Sequence, residues 1–171
     1  KNIDYAEYLL AICYYEQIVD EKKDTQSIIN SKTKFKLIIK NYPDTEYAID
    51  AEFKINLIND ILASKEIYVA KYYMEKKKWI PAINRFSTVL NDYETTIYVE
   101  EALHRLVEIH YKLGLENEAK KYASLLGYNY QSSKWYENSY TIFNKKYEIQ
   151  KKEKINKKDN ILIKKFKSLL D

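Results

Sequence analysis

Apolar positions along the chain recur at spacings of three and four. The clearest series is Val99, Ala102, Leu103, Leu106, Val107 and His110, which falls on one face of a helix. Ala48, Ala51, Ile55, Ile58 and Leu62 form a second. The same period predicts helices over 3–18, 27–41, 45–61, 64–77, 80–91, 97–113, 116–126 and 134 to about 153, with a shorter one over 160–170. Small residues at Ala70, Ala82, Ala102 and Ala119 let helices approach closely, and Phe35, Tyr73 and Phe86 fill the space between them. The fold class expected is all-α.

Helix punctuation agrees with the pattern. The chain has two glycines and two prolines, too few turn formers for a sandwich or barrel of many short strands. Gly114 and Gly127 each follow an apolar run, as helix-ending glycines do. Pro43 stops a helix after Tyr42, and Pro81 sits in a first turn, where its missing amide has no partner to lose.

A tyrosine-centred junction then repeats. NYPDTEYAIDA at 41–51 returns as DYETTIYVEEA at 92–102 and, more loosely, as NYQSSKWYENS at 129–139. The offsets of 51 and about 37 residues suit a helix-turn-helix unit with or without a longer first helix. In each copy a helix ends near Tyr42, Tyr93 or Tyr130, and Thr45, Thr96 or Ser133 stands where a side-chain oxygen can accept from the amides of the next helix. Units of this kind bury one face against their neighbours and leave a groove for partners.

At 171 residues, 46% hydrophobic and 32% charged, the chain has an ordinary globular composition. Most of its 18 tyrosines read as filler between helices, with a polar tip at the groove edge. Two domains are expected: repeats over 1–143, three to four helix pairs, and a basic helical extension over 144–171. That extension holds ten lysines and four acids, so it sets the sign of the chain's net +4. Leu162, Phe166, Leu169 and Leu170 make an apolar strip there beside Lys164, Lys165 and Lys167. It can cap the open end of the repeats, bind an acidic partner or touch anionic lipid; in the lipid case, removing 156–171 abolishes liposome binding. Nucleic-acid binding fits poorly, because the lysines lack interleaved aromatics or a recognisable binding fold.

No catalytic constellation stands out. His104 and His110 are six apart and face different ways, and HExxH, CxxC, GxSxG and phosphate-cradling glycine loops are missing from the sequence. His110 reads as a hydrogen-bonded packing residue, and Glu100 and Glu101 as a solvated face. No cofactor, no metal and no enzymatic activity are expected. Cys13 follows LLAI and superficially resembles a lipoprotein processing site, but Ile12 is too bulky, and a core cysteine is expected instead. The chain contains no apolar stretch of transmembrane length and no secretory signal.

Ala70 and Tyr73 on one helix, with Ala82 and Phe86 on the next, resemble the small-large pattern of the tetratricopeptide repeat. AEYLLAICYYEQI at 6–18, NYPDTEYAIDA at 41–51, LASKEIYVAKYYMEKKKWIPAINRF at 62–86 and EALHRLVEIHYKLGL at 101–115 together resemble the BamD family. Its members are tetratricopeptide lipoproteins of the outer-membrane β-barrel assembly machinery, and the alphaproteobacterial form is nearest. The resemblance covers roughly 1–143. Ala70 stands where glycine is commoner, and Gln131 replaces a proline expected after Tyr130.

The resemblance implies a right-handed superhelix of antiparallel helix pairs. It implies a non-catalytic scaffold at the periplasmic face of the outer membrane, binding BamA, other subunits of the machinery and unfolded outer-membrane β-barrel proteins. It also implies that this chain is N-terminally truncated, with membrane attachment through a lipid anchor outside it. Arg85 is the residue matching the arginine that faces a POTRA domain of BamA. Asn84, Lys77 and Tyr72 are expected on neighbouring surface, and Arg105 near the same groove or on a solvated flank. Trp79 is expected to staple a turn. Tyr8, Tyr15 and Gln17 are expected to border the substrate groove. The alternative reading is another periplasmic tetratricopeptide adaptor, such as the Tol-Pal system coordinator.

Overall fold

The computed structural model describes residues 3–18 and 25–144. They form seven helices: α1 (Ile3–Glu16), α2 (Thr25–Asn41), α3 (Glu46–Glu75), α4 (Trp79–Asp92), α5 (Val99–Lys112), α6 (Glu116–Asn129) and α7 (Lys134–Phe143). No strand occurs among the described residues. Helix is therefore the whole regular content of those residues, as the apolar period predicts, and α1 with α2, α2 with α3, α3 with α4 and α6 with α7 pack as neighbours, in keeping with a tetratricopeptide fold. The continuation of α7 to about 153 and the helix expected over 160–170 lie outside the described residues. So does the basic extension beyond Asn144.

The chain forms two compact units, Lys1–Ala102 and Leu103–Asp171, with the division inside α5. In the first unit α1, α2 and the start of α3 close around Ala11, Ile28, Phe35, Ile38, Ala51 and Ile58, all fully buried. Ala11 and Ser31 are small enough for α1 and α2 to meet closely, and the Ser31 hydroxyl donates to the Ala11 carbonyl at 3.3 Å. The end of α3 packs on α4 through Ala63, Ile67 and Ala70 against Ala82, Phe86 and Val89. In the second unit Leu106, Val107, Ile109, Ala119 and Leu126 are fully buried. The stripe from Val99 to His110 is buried throughout.

Several expectations need correction. The helices expected over 45–61 and 64–77 are one helix of 30 residues, α3. Its buried positions step by five between Ile58 and Ala63, because the face that meets α1 and α2 gives way to the face that meets α4. A change of partner mimics a helix end, and no glycine or proline is present to make a real one. Gly127 does not stop α6, which runs on to Asn129. A Cβ there would lie 2.8 Å from Cε2 of Tyr136, so this glycine permits close approach of α7. Cys13 is exposed, not core, since α1 buries Ala11 and its neighbour two positions on points away.

The tyrosine joints share one set of backbone hydrogen bonds. Tyr42, Tyr93 and Tyr130 each donate an amide to the carbonyl four residues back, at 2.8, 3.2 and 2.8 Å. Each tyrosine carbonyl accepts from the amide three residues on, Thr45, Thr96 or Ser133, at 3.2, 3.1 and 3.0 Å. The Thr45 and Thr96 hydroxyls also donate to that carbonyl, both at 2.8 Å. Thr45 accepts from the Ala48 amide and Ser133 from the Trp135 amide, so both cap the incoming helix. The second joint differs from expectation: α5 begins only at Val99, and the Thr96 hydroxyl serves the outgoing helix.

Two helix ends adopt one Schellman geometry with different residues. At Gly114 φ is +77°, the Leu115 amide reaches the His110 carbonyl at 2.9 Å, and the Gly114 amide reaches Tyr111 at 3.0 Å. At Lys77 φ is +56°, with Lys78 to Tyr73 at 2.9 Å and Lys77 to Met74 at 3.0 Å. A side chain in this left-handed region clashes with its own backbone, so Lys77 carries strain that glycine would not. Lys77→Gly is expected to stabilise the protein by about 0.5–1 kcal/mol in urea unfolding. Gly127→Ala is expected to destabilise it by about 1 kcal/mol, although alanine is the better helix former, because the contact with Tyr136 outweighs propensity.

Candidate functional site

Helix α4 turns Ala82, Phe86 and Val89 into the core and leaves Asn84 and Arg85 exposed. The hairpin between Glu75 and Trp79 folds the end of α3 back along α4 and places Glu66 opposite Arg85. Nη1 of Arg85 donates to both carboxylate oxygens of Glu66, at 3.2 and 3.0 Å. The arginine side chain remains 47% exposed and the glutamate 17%. A pair this open contributes about 0–1 kcal/mol to stability. Its larger effect is orientation: one nitrogen is held, and the guanidinium keeps its other donors turned to solvent.

The second tyrosine joint supplies the flank of this pair. Burial raises the Tyr93 hydroxyl pKa above its usual value, with Glu66 and then Asp92 adding to the shift. Lys32 of α2 lies over the Tyr93 ring, 5.4 Å from its centre. Burial, and then Lys36, lower the lysine pKa against the opposing pull of Asp92. At the first joint the Tyr42 hydroxyl is likewise pushed up, by partial burial and then by Glu7 and Asp4 of α1.

Tyr72 and Lys77, expected beside Arg85, lie toward the hairpin tip, and neither is bonded to it. Tyr72 is 54% exposed and meets the Tyr73 ring edge-on at 5.8 Å. With Tyr68 and Lys71 it lines a groove of about 430 Å³, closed on the other side by Tyr98 and Glu101. The Lys71 ammonium bridges to Glu101 at 3.1 Å. Trp79 opens α4 half-buried.

Arg105 belongs to the second unit and is engaged there. It donates to Glu108 at 2.7 Å and lies over the Trp135 ring at 5.3 Å. His104 stacks on the same ring at 5.2 Å, its Nδ1 is 2.8 Å from the Ser139 hydroxyl, and its Nε2 is 3.8 Å from Glu108. Serine, histidine and glutamate are thus in line, but Ser139 is fully buried and His104 nearly so. A nucleophile must meet its substrate, and this hydroxyl has no exposed surface; the cluster joins α5 to α7. His110 has the packing role expected: its Nδ1–H donates to the Leu106 carbonyl at 2.8 Å, and its ring rests on Tyr122 at 5.2 Å.

Tyr8 and Tyr15 pack at the margin of the first core. Tyr8 lies against Tyr47 and Phe35, with ring centres 5.1 and 6.3 Å away, and Tyr15 meets Phe35 edge-on at 6.3 Å. Lys54 covers the Tyr15 ring at 4.7 Å. Gln17 is exposed just beyond α1. The Tyr8 hydroxyl donates to Asp50 at 2.6 Å. Burial first, then that bond and the Asp50 charge, push the Tyr8 pKa up to about 12.

Sequence reasoning did not single out Glu66, Lys32, Asp50 or the His104–Ser139–Trp135 cluster. Glu66 could have been found by folding LASKE back on INRF about the KKKW turn. The other contacts join elements far apart in the chain.

Because the folded pKa of Tyr8 exceeds that of a free tyrosine, its contribution is complete below about pH 10 and disappears as pH rises toward 12. Native protein is therefore expected to lose stability across that window faster than Tyr8→Phe, in urea unfolding at stepped pH. Parallel curves would remove the Tyr8–Asp50 bond from the account.

The family profile described as YfiO, outer membrane lipoprotein, matches residues 1–125. A protein of Rickettsia prowazekii named outer membrane protein assembly factor BamD is 49% identical over 143 residues, covering 82% of this chain and 57% of its own length. The protein of that name from Caulobacter vibrioides is 41% identical over 143 residues, covering 84% and 47%. One from Neisseria meningitidis is 28% identical over 142 residues, covering 77% and 53%. The chain spans about half the length of the curated relatives it matches. Among the described residues no helix is long and apolar enough to cross a membrane. With the profile matching residues 1–125 and the helical fold in agreement, the chain belongs to the YfiO family of outer membrane lipoproteins.

Proposed function

We propose that the chain is a non-catalytic binding platform in outer membrane protein assembly, working at the periplasmic face of that membrane. Arg85 is the centre of a docking surface for a POTRA domain of BamA. The observation that carries this reading is the half-exposed guanidinium held by Glu66 from one side only. Asn84 is exposed beside it, and Tyr72 and Lys77 lie at its margin. An arginine fixed in this way loses little side-chain freedom on meeting a partner carboxylate or carbonyl. Relatives named as assembly factors support the cellular role.

Unfolded β-barrel proteins bind along α1, past Tyr8, Tyr15 and Gln17. Of these Gln17 has the most open side chain, and the two tyrosines are partly exposed. Arg105 is the weakest of the expected contacts, since Glu108 and Trp135 already occupy its charge and its plane.

Capture on immobilised POTRA domains of BamA tests the Arg85 surface. Arg85→Glu is expected to reduce capture about tenfold or more, because it loses the cation and sets two carboxylates together. The paired exchange Glu66→Arg with Arg85→Glu restores the internal ion pair and should still fail to bind. Equal capture of native and variant proteins removes the site. No capture of native protein removes the proposed partner.

A further inference from the structure

The tip of the α3/α4 hairpin lies at the margin of the Arg85 surface and presents a different set of side chains. Lys76, Lys77 and Lys78 follow one another there, all exposed, and lead into half-buried Trp79, exposed Ile80 and exposed Pro81. Ile80 is 73% exposed, and Glu75 is the adjoining acid. Lys76 lies over the Tyr72 ring at 5.9 Å. Lys77 and Lys78 use their amides to close α3, and their ammonium groups make no bond to the described residues. The Lys71 cation on the same helix, by contrast, is matched by Glu101.

We propose that this tip, residues 76–80, is a contact site for an anionic phospholipid bilayer, separate from any acyl anchor. Three features favour lipid over an acidic protein. Lysines are flexible point charges suited to a fluid array of phosphates, whereas fixed carboxylates favour the planar fork of arginine. An indole beside an exposed isoleucine is the side-chain pair that settles at a membrane interface. Lys77 holds a left-handed backbone position where glycine costs less, so the cation is kept against local strain. The chain also belongs to a family of outer membrane lipoproteins, which puts a bilayer within reach.

The test is Trp79 fluorescence in the full chain, mixed with vesicles whose acyl chains carry bromine. Vesicles containing phosphatidylglycerol should quench Trp79 and shift its emission to the blue. Purely zwitterionic vesicles, or about 0.5 M salt, should abolish both effects. Trp79→Phe assigns the signal by leaving Trp135 alone, and Trp135→Phe does so in the opposite sense. Each lysine is expected to contribute about fivefold to partitioning. Lys77→Gly separates binding from folding, since it should make the protein more stable and bind about fivefold more weakly. Binding of the whole chain with Trp79 unquenched would assign lipid contact to the basic extension and overturn the proposal. Unchanged quenching in Lys77→Gly, or Trp79 shielded by POTRA domains but never by vesicles, would also overturn it.

Discussion

The carbonyl of a tyrosine at a helix end is the point on which this structure turns. It has lost its helical partner, and the chain repairs the loss in the same way three times, with an amide three residues on and, at Thr45 and Thr96, a hydroxyl as well. Each repair fixes where one helix stops and the direction in which the next one leaves. A short helical pair cannot bury enough surface alone, so these directions decide which apolar faces meet. Within the first unit they bring α2 and α4 against successive stretches of one long helix.

That long helix also explains the position of Arg85. Its first half completes the core of α1 and α2, and its second half folds against α4 and delivers Glu66. The joint after α4 then sets Tyr93 beside the same carboxylate, with Lys32 over the ring. Packing residues and the residues proposed to bind are therefore neighbours on the same helices. Ala82 and Phe86 hold α4 down while Asn84 and Arg85, between them, look outward. The second unit invests its polar groups differently. His104, Ser139, Arg105, Glu108 and Trp135 bond to one another and tie α5 to α7.

Much of this was legible in the residues. The period of three and four located the helices, and the recurring tyrosines located the joints, because both reflect chemistry local to a few neighbours. Gly114 was readable for the same reason. Gly127 was not: its missing side chain answers to Tyr136 on another helix, and sequence shows no such contact. The continuity of α3 was hidden because its buried face rotates when its partner changes. Cys13 looked like core because its apolar neighbours obscured which side of α1 is covered. Arg85 could be placed on a face, but its orientation depends on Glu66, 19 residues earlier. Lys77 gave no warning of its left-handed backbone, since lysine is not the residue that such a position selects.

Hydrogen–deuterium exchange of the chain, alone and with the POTRA domains of BamA, tests the central claim most directly. If the hairpin of α3 and α4 is the docking element, amides around Glu66 and across 84–88 slow on mixing, while those around His104 and Ser139 keep their rates. Protection confined to the second unit, with the hairpin unchanged, would contradict the account.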